Sequence, residues 1–159
     1  MNKLTQLAAL AVFSVAASAS AAAAVTVSYV NPDKMTDVPR DTRDREWMKT
    51  LLIEHFTTLA ARLPAGQDVK VEILDIDLAG DVFPRVAIHN VRVFKGRADW
   101  PSIHLRYSIA QDGQVLRSGE RRLSDSSYLM SFNTYRNEIY GYEKQMLDDW
   151  FRKEFALLP

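Results

Sequence analysis

The apolar positions of this chain change phase within Val69 to Gly80, VKVEILDIDLAG. Val69, Val71 and Ile73 hold odd positions, whereas Leu74, Ile76 and Leu78 hold even ones. Alternation with period two marks a β-strand with one buried face, and a one-residue slip sends every later side chain to the other face. A flat strand would turn Asp75 and Asp77 toward the face that Val69 and Val71 bury. The pattern therefore predicts either two inward carboxylates or a β-bulge. The next apolar run, Val86 to Phe94, shifts phase in the same way. Two such runs favour matching bulges on adjacent strands, with Asp75 and Asp77 facing solvent near the sheet end.

Elsewhere the periods are cleaner. Val25 to Val30 alternates as a half-buried strand and stops at Asn31-Pro32-Asp33, a turn sequence. Asp41 or Asp44 caps a helix that begins near Arg45. Trp47, Met48, Leu51, Leu52, Phe56, Leu59 and Leu63 form its apolar arc, with His55 in the middle, and Leu63-Pro64-Ala65-Gly66 ends it. Trp100-Pro101 opens a further strand. Ile103 to Leu123 reads as a hairpin about Asp112-Gly113, a dipeptide suited to a two-residue type I′ turn. Pairing Gln111 with Gln114 sets Ile109 opposite Leu116, Tyr107 opposite Ser118 and Leu105 opposite Glu120 on the core face. That register leaves His104, Arg106, Arg117 and Arg121 on the solvent face and turns Arg122 inward near Glu120.

Ser124-Asp125 is placed to cap a short helix. The segment from Tyr128 to Tyr142 is rich in aromatics, namely Tyr128, Phe132, Tyr135, Tyr140 and Tyr142. Such a segment either covers the end of a sheet, the commoner case, or lines a ligand pocket. A last helix runs from about Tyr142 to Leu157, burying Met146, Leu147, Trp150, Phe151 and Leu158 while Asp148 and Asp149 point outward. The order is strand, helix, three or four strands, helix. It predicts an α+β two-layer sandwich, a mainly antiparallel sheet of four to five strands with two helices packed on one face.

Composition changes this picture at the N-terminus. Lys3, the apolar run Leu4 to Val15 and the Ala/Ser-rich stretch Ser14 to Ala24 have the form of an export signal. Residues 1–24 are read as that signal, with cleavage after Ala21 to Ala24, and residues 25–159 as one α+β domain. A periplasmic or secreted location follows as an expectation. No later stretch approaches the roughly 20 apolar residues of a spanning helix. The chain has no cysteine, which leaves no disulfide, thiolate ligand or lipid-anchoring Cys.

Charge is balanced overall, with 20 basic and 20 acidic residues, and this argues against a nucleic-acid partner. Its distribution is uneven. Residues 85–122 carry 8 basic against 3 acidic side chains, between acidic flanks. Pairing of neighbouring elements explains such an island; the sharper reading is a basic face for lipid head groups or an acidic glycan. Arg106, Arg117 and Arg121 carry that reading, and Tyr128, Tyr135 and Tyr142 carry the alternative of an aromatic binding surface.

Catalytic motifs are missing. No Gly-rich phosphate loop, nucleophile elbow or zinc-helix motif occurs, and no cofactor is expected. Asp75, Asp77 and Asp81 offer oxygen ligands for a hard cation but too few for a calcium loop, so Asp75 and Asp77 are only weak metal candidates. Two adjacent carboxylates would also raise one another's pKa, as a general acid requires. An acid/base or metal-dependent hydrolase using them, with His89 or His104, is thus the alternative to a non-enzymatic binding protein. Ser124, Ser126 and Ser127 near Asp125 lack a histidine fixed by spacing.

Several stretches together resemble an uncharacterised bacterial family, the domain of unknown function 3016. They are Tyr29 with Pro32-Asp33, Leu63-Pro64 with Gly66-Gln67, Asp75 to Gly80, Arg92-Val93, Trp100-Pro101, Leu105-Arg106-Tyr107, Leu123-Ser124-Asp125, Tyr128-Leu129, and Tyr142-Glu143-Lys144 through Asp148-Asp149-Trp150-Phe151. The resemblance implies an exported bacterial domain and brings no catalytic residues with it. The resulting expectation is an envelope protein binding an anionic component or another envelope protein; a small inhibitory or structural interaction module is the remaining alternative.

Overall fold

The computed structural model describes residues 23–82 and 92–155. The proposed signal up to Ala22, His89 with most of the Val86 to Phe94 run, and Leu157 and Leu158 lie outside the described residues. The elements are β1 (Val25–Tyr29), α1 (Thr42–Ala60), β2 (Gln67–Asp77), β3 (Asp81–Val82), β4 (Arg92–Val93), β5 (Ser102–Gln111), β6 (Gln114–Ser124) and α2 (Gly141–Glu154), with a short 3-10 turn at Pro32–Lys34. The main sheet has the order β1-β2-β5-β6; β1 and β2 run parallel and the other pairs antiparallel.

Both helices cover one face. Met48, Leu52, Phe56 and Leu59 of α1 and Met146, Leu147, Trp150 and Phe151 of α2 join Val69, Val71, Ile73, Ile76, Ile103, Leu105, Tyr107 and Ile109 in one core. Each fully buried Leu or Ile there contributes about 1.5–3 kcal/mol relative to exposure. The helix starts at Asp41, whose side chain accepts the amides of Arg43 and Asp44 at 2.9 and 3.1 Å. Trp47, expected on the buried arc, is instead 43 % exposed, because the arc of α1 that meets the sheet is centred on Leu52 and Phe56.

The phase break in β2 is a bulge. Ile73 pairs with Leu105 and Asp75 with His104, so Leu74 is the extra residue. Ile73 and Ile76 are thereby both buried, and Asp75 and Asp77 fall on the face away from the helices. Asp75 accepts hydrogen bonds from the Thr36 amide at 2.7 Å and its hydroxyl at 2.8 Å, clamping the β1–α1 connection to the strand. The matching bulge expected in Val86 to Phe94 falls largely outside the described residues. Among the described residues of that run, Arg92–Val93 pairs with Asp81–Val82 in a separate two-stranded ladder, while β2 lies between β1 and β5.

The β5–β6 hairpin has the anticipated turn, with Asp112 and Gly113 at φ 52° and 78°, the left-handed pair that type I′ requires. Its expected register holds for two pairs, Gln111–Gln114 and Ala110–Val115. Beyond Ala110–Val115, Leu116 is extra, and Ile109 meets Arg117 rather than Leu116. The slip reverses every later side chain. Arg117 and Arg121 face the helix side, whereas Glu120 and Arg122 join His104 and Arg106 on the open face. The physical advantage is charge placement. The unbulged register would set Glu120 against Leu105 beneath the helices; the bulge puts Arg121 there, and Arg121 lies over the Tyr107 ring at 5.9 Å and grips Glu154 of α2.

His55 is buried between the helices. Its Nε2 lies 3.0 Å from the Lys144 carbonyl and its ring meets Tyr135 edge-on at 5.1 Å. Burial pushes its pKa down to about 4 against the hydrogen bond to the Lys144 carbonyl, with the Lys144 and Arg62 charges adding to the effect and Asp148 opposing it. The folded state therefore binds fewer protons than the unfolded chain between pH 6.5 and about 4, and stability falls as pH drops through that window. The loss from His55 is expected to be about 3 kcal/mol. Glu143, discussed below, has a raised folded pKa and acts in the opposite direction, so the His55 part is isolated by comparison with His55→Gln. Urea midpoints for the variant should decline less between pH 7 and 4 than those of the unmodified chain; parallel declines would exclude His55 as a source of acid lability.

Candidate functional site

Where β2 ends, the backbone Leu78-Ala79-Gly80 is buried rather than solvated, so its polar groups need partners. Two side chains from distant parts of the chain supply them. Arg92, on β4, donates from Nε to the Ala79 carbonyl at 2.7 Å and from Nη2 to the Leu78 carbonyl at 3.0 Å, and also bonds the Gly80 carbonyl and the Asp37 carboxylate. From the other side Glu143, in the first turn of α2, accepts the Ala79 amide at 2.6 Å. Glu143 is 2 % exposed. Burial raises its pKa against the opposing pull of the Ala79 amide, its own amide and the Arg92 charge.

Strain and close approach accompany this arrangement. Tyr140, just before α2, adopts φ 56°, which a bulky L-residue seldom does. Burial pushes the Tyr140 hydroxyl up to about 12, with Glu143 adding to the shift. At Gly80, φ is 71° and a Cβ would sit 2.7 Å from the Val93 carbonyl oxygen, so β3 and β4 can fold back only over a glycine.

A cleft of about 310 Å³ opens beside this knot, lined by Asp37, Pro39, Trp47, Leu78, Val82, Arg92, Phe94, Glu138, Ile139 and Tyr140. A smaller one of about 130 Å³ adjoins it, sharing Arg92, Phe94, Glu138 and Tyr140 and reaching Tyr142 and Glu143. Trp47, Val82, Phe94 and Ile139 are all exposed there. The wall is thus apolar and aromatic, with Asp37 and Arg92 as its polar floor. Such a composition suits apolar side chains with a few oriented hydrogen bonds.

The residues singled out from sequence do not converge. Arg106 pairs with Glu72 at 2.8 Å and Glu120 at 3.0 Å on the open sheet face, and Glu120 also holds His104 at 2.8 Å. Arg121 and Arg117 lie on the opposite face against Glu154. The expected single basic face is therefore divided, and three of its members are paired with carboxylates. Tyr128 and Tyr142 pack with Phe94 in a three-ring cluster, with centroid separations of 4.9 to 6.2 Å. Tyr135 lies elsewhere, against His55 and 3.3 Å from Asp148. The aromatic segment mainly covers the sheet end, and Tyr142 alone of those three lines a cleft.

Asp75 and Asp77 do not form an opposed acid/base pair, since Asp75 is engaged by Thr36. Asp77 is held above the usual carboxylate range, first by the protein packed around its carboxyl and then by Asp37 and Asp75, with Arg92 opposing. Among the described residues no group of three or more His, Asp or Glu is placed to hold a metal ion, and no helix is long and apolar enough to cross a membrane. Sequence reasoning missed Asp37, Arg92 and Glu143. They stand 55 and 51 positions apart, and alternation sets Arg92 on the face opposite Val91 and Val93, so period gave no sign of its role.

Fold and site together define a two-layer α+β domain with an apolar cleft over a buried Arg–carboxylate knot. The chain belongs to the family described as protein of unknown function (DUF3016), whose family model matches residues 23–153. No curated protein and no solved structure matches it.

Proposed function

We propose that this chain is an exported, non-enzymatic binding module of the bacterial cell envelope that receives an apolar segment of another envelope protein in the Trp47 cleft. The observation that carries the reading is the exposure of Trp47, Val82, Phe94 and Ile139 around one concavity. Exposed apolar side chains gathered in a cleft, rather than scattered, mark an interaction site. The pairing of Arg106, Arg117 and Arg121 with carboxylates weighs against the hairpin as an anion-binding face. The engagement of Asp75 by Thr36 weighs against a hydrolase built on Asp75 and Asp77. Export is supported by Lys3, the Leu4 to Val15 run and the Ala/Ser stretch that follows.

The test is photocrosslinking in living bacteria expressing the full chain. A photoreactive residue at Ile139 is expected to yield a discrete adduct with an envelope protein, and Phe94→Glu to abolish it. The same residue at Ser118, on the open sheet face, is expected to yield none. Adducts from Ser118 alone, or only cytoplasmic adducts, would remove the proposal.

A further inference from the structure

We propose that the end of the molecule formed by the Lys95–Trp100 turn and the Asp125–Tyr140 loop docks on an anionic phospholipid surface, with Met130 and Phe132 inserting. This end borders the cleft, whose lining includes Glu138, Ile139 and Tyr140 and whose smaller neighbour includes Arg136, but Met130, Phe132 and Arg97 line neither, and the proposal does not require the cleft to be occupied. Met130 is 90 % exposed and Phe132 85 %, the two most exposed of the large apolar side chains among the described residues. A frayed loop would explain such exposure, but this loop is held. Met130 and Ser131 amides donate to the Ser127 carbonyl at 2.7 and 2.9 Å. The Ser127 amide donates to Asp125 at 2.9 Å, and the Thr134 amide to Gln145 of α2 at 2.9 Å. The backbone thus presents both side chains to solvent from a fixed platform.

The loop leans on the basic turn. Leu129 lies 3.1 Å from the place where a side chain on Gly96 would begin, and the Asp125 amide donates to the Pro101 carbonyl at 3.2 Å. Arg97 and Arg136 are exposed, and among the described residues neither has an ion-pair partner. The acids of this end are already engaged. Asp81 pairs with Lys95 and Glu138 with Lys144. Asp99 accepts the Lys95 and Arg97 amides, and Asp125 the Ser127 amide. Asp99 and Asp125 keep their charge but are buried and half-buried against those amides, whereas Arg97 and Arg136 are exposed. Among the described residues, the free charges this end offers an incoming surface, around its two apolar tips, are therefore the two arginines.

That combination fits lipid better than protein. A stable protein interface covers about 800 Å² on each partner, far more than two side chains with Ser131 between them. A bilayer needs only apolar groups that cross the headgroup boundary and cations that meet its phosphates.

The experiment is cosedimentation of the chain from Ala23 onward, which contains every described element of the fold, with phosphatidylcholine vesicles with and without phosphatidylglycerol. Binding is expected only with phosphatidylglycerol and should weaken as salt is added. Met130→Ser with Phe132→Ser should reduce it about tenfold or more. Arg97→Gln and Arg136→Gln should each reduce it about fivefold. Trp47→Ser and Arg106→Gln should leave it unchanged, which separates this surface from the cleft and from the hairpin. Absence of phosphatidylglycerol-dependent binding, or undiminished binding by the Met130/Phe132 variant, would overturn the proposal. Thermal midpoints equal to that of the unmodified chain establish that the variants are folded.

Discussion

Gly141→Ala is expected to destabilise the protein by about 3 kcal/mol or more, a loss of roughly 10 °C in thermal midpoint for a domain of this size. A Cβ at position 141 would lie 2.0 Å from the Tyr135 carbonyl oxygen and 2.9 Å from its carbon. Both atoms are backbone, so no rotamer change relieves the clash. The chain from Tyr135 to Gly141 would have to move, and with it the left-handed Tyr140 and the Glu138 amide that donates to the Tyr135 carbonyl at 2.8 Å. Gly66→Ala is the matched comparison. Gly66 has φ 81° and no atom within 4 Å of a built Cβ, so it bears only the left-handed strain of about 1 kcal/mol. Thermal unfolding by circular dichroism of both variants decides the matter: equal midpoints would mean that the Tyr135–Gly141 approach is not a constraint on the fold.

Arg92→Leu is expected to be about as damaging, at roughly 3 kcal/mol, because it strands acceptors rather than removing one contact. The side chain is only 13 % exposed and serves three carbonyls and a carboxylate. Leucine would leave the Leu78, Ala79 and Gly80 carbonyls without that donor and Asp37 without its counter-charge. Lysine keeps the charge but not the planar fork, so Arg92→Lys should recover only part of the loss. Arg106→Leu, a paired arginine on the open face, should leave the urea midpoint unchanged. If Arg92→Leu behaves like Arg106→Leu, the knot does not hold the end of β2, and the floor of the cleft is not built as described. Damage in Arg92→Leu that Asp37→Asn reproduces would place the larger share of the effect in the ion pair rather than in the carbonyls.

Both predictions concern residues that sequence periodicity does not reveal. Gly141 follows no turn signature, and its requirement comes from a carbonyl six residues earlier that only the folded loop brings close. Arg92 stands in a short apolar run whose pairing with Asp81–Val82, away from the main sheet, is a tertiary outcome. The cleft inherits this property. Trp47 belongs to the periodic pattern of α1, and its position argued for burial; the orientation of the helix on the sheet turned it outward instead.

Local chemistry did determine much of the architecture. The phase break of Val69 to Gly80 required a bulge, because the alternative buried two carboxylates, and the bulge falls at Leu74. Asp112-Gly113 set the hairpin, since both turn residues must adopt positive φ. Strand, helix, strands and helix in that order led to two helices on one face of a four-stranded sheet. What the sequence could not decide were matters of one residue of register and of long-range proximity. The extra Leu116 in β6 carries no local mark, yet it sends Arg117 and Arg121 to Glu154 and divides the basic face. Period and turn type are written in neighbouring residues, so they are legible in order. A bulge whose benefit is an ion pair more than thirty positions away, and a site assembled from Asp37, Arg92 and Glu143, depend on energies that exist only once the layers have packed.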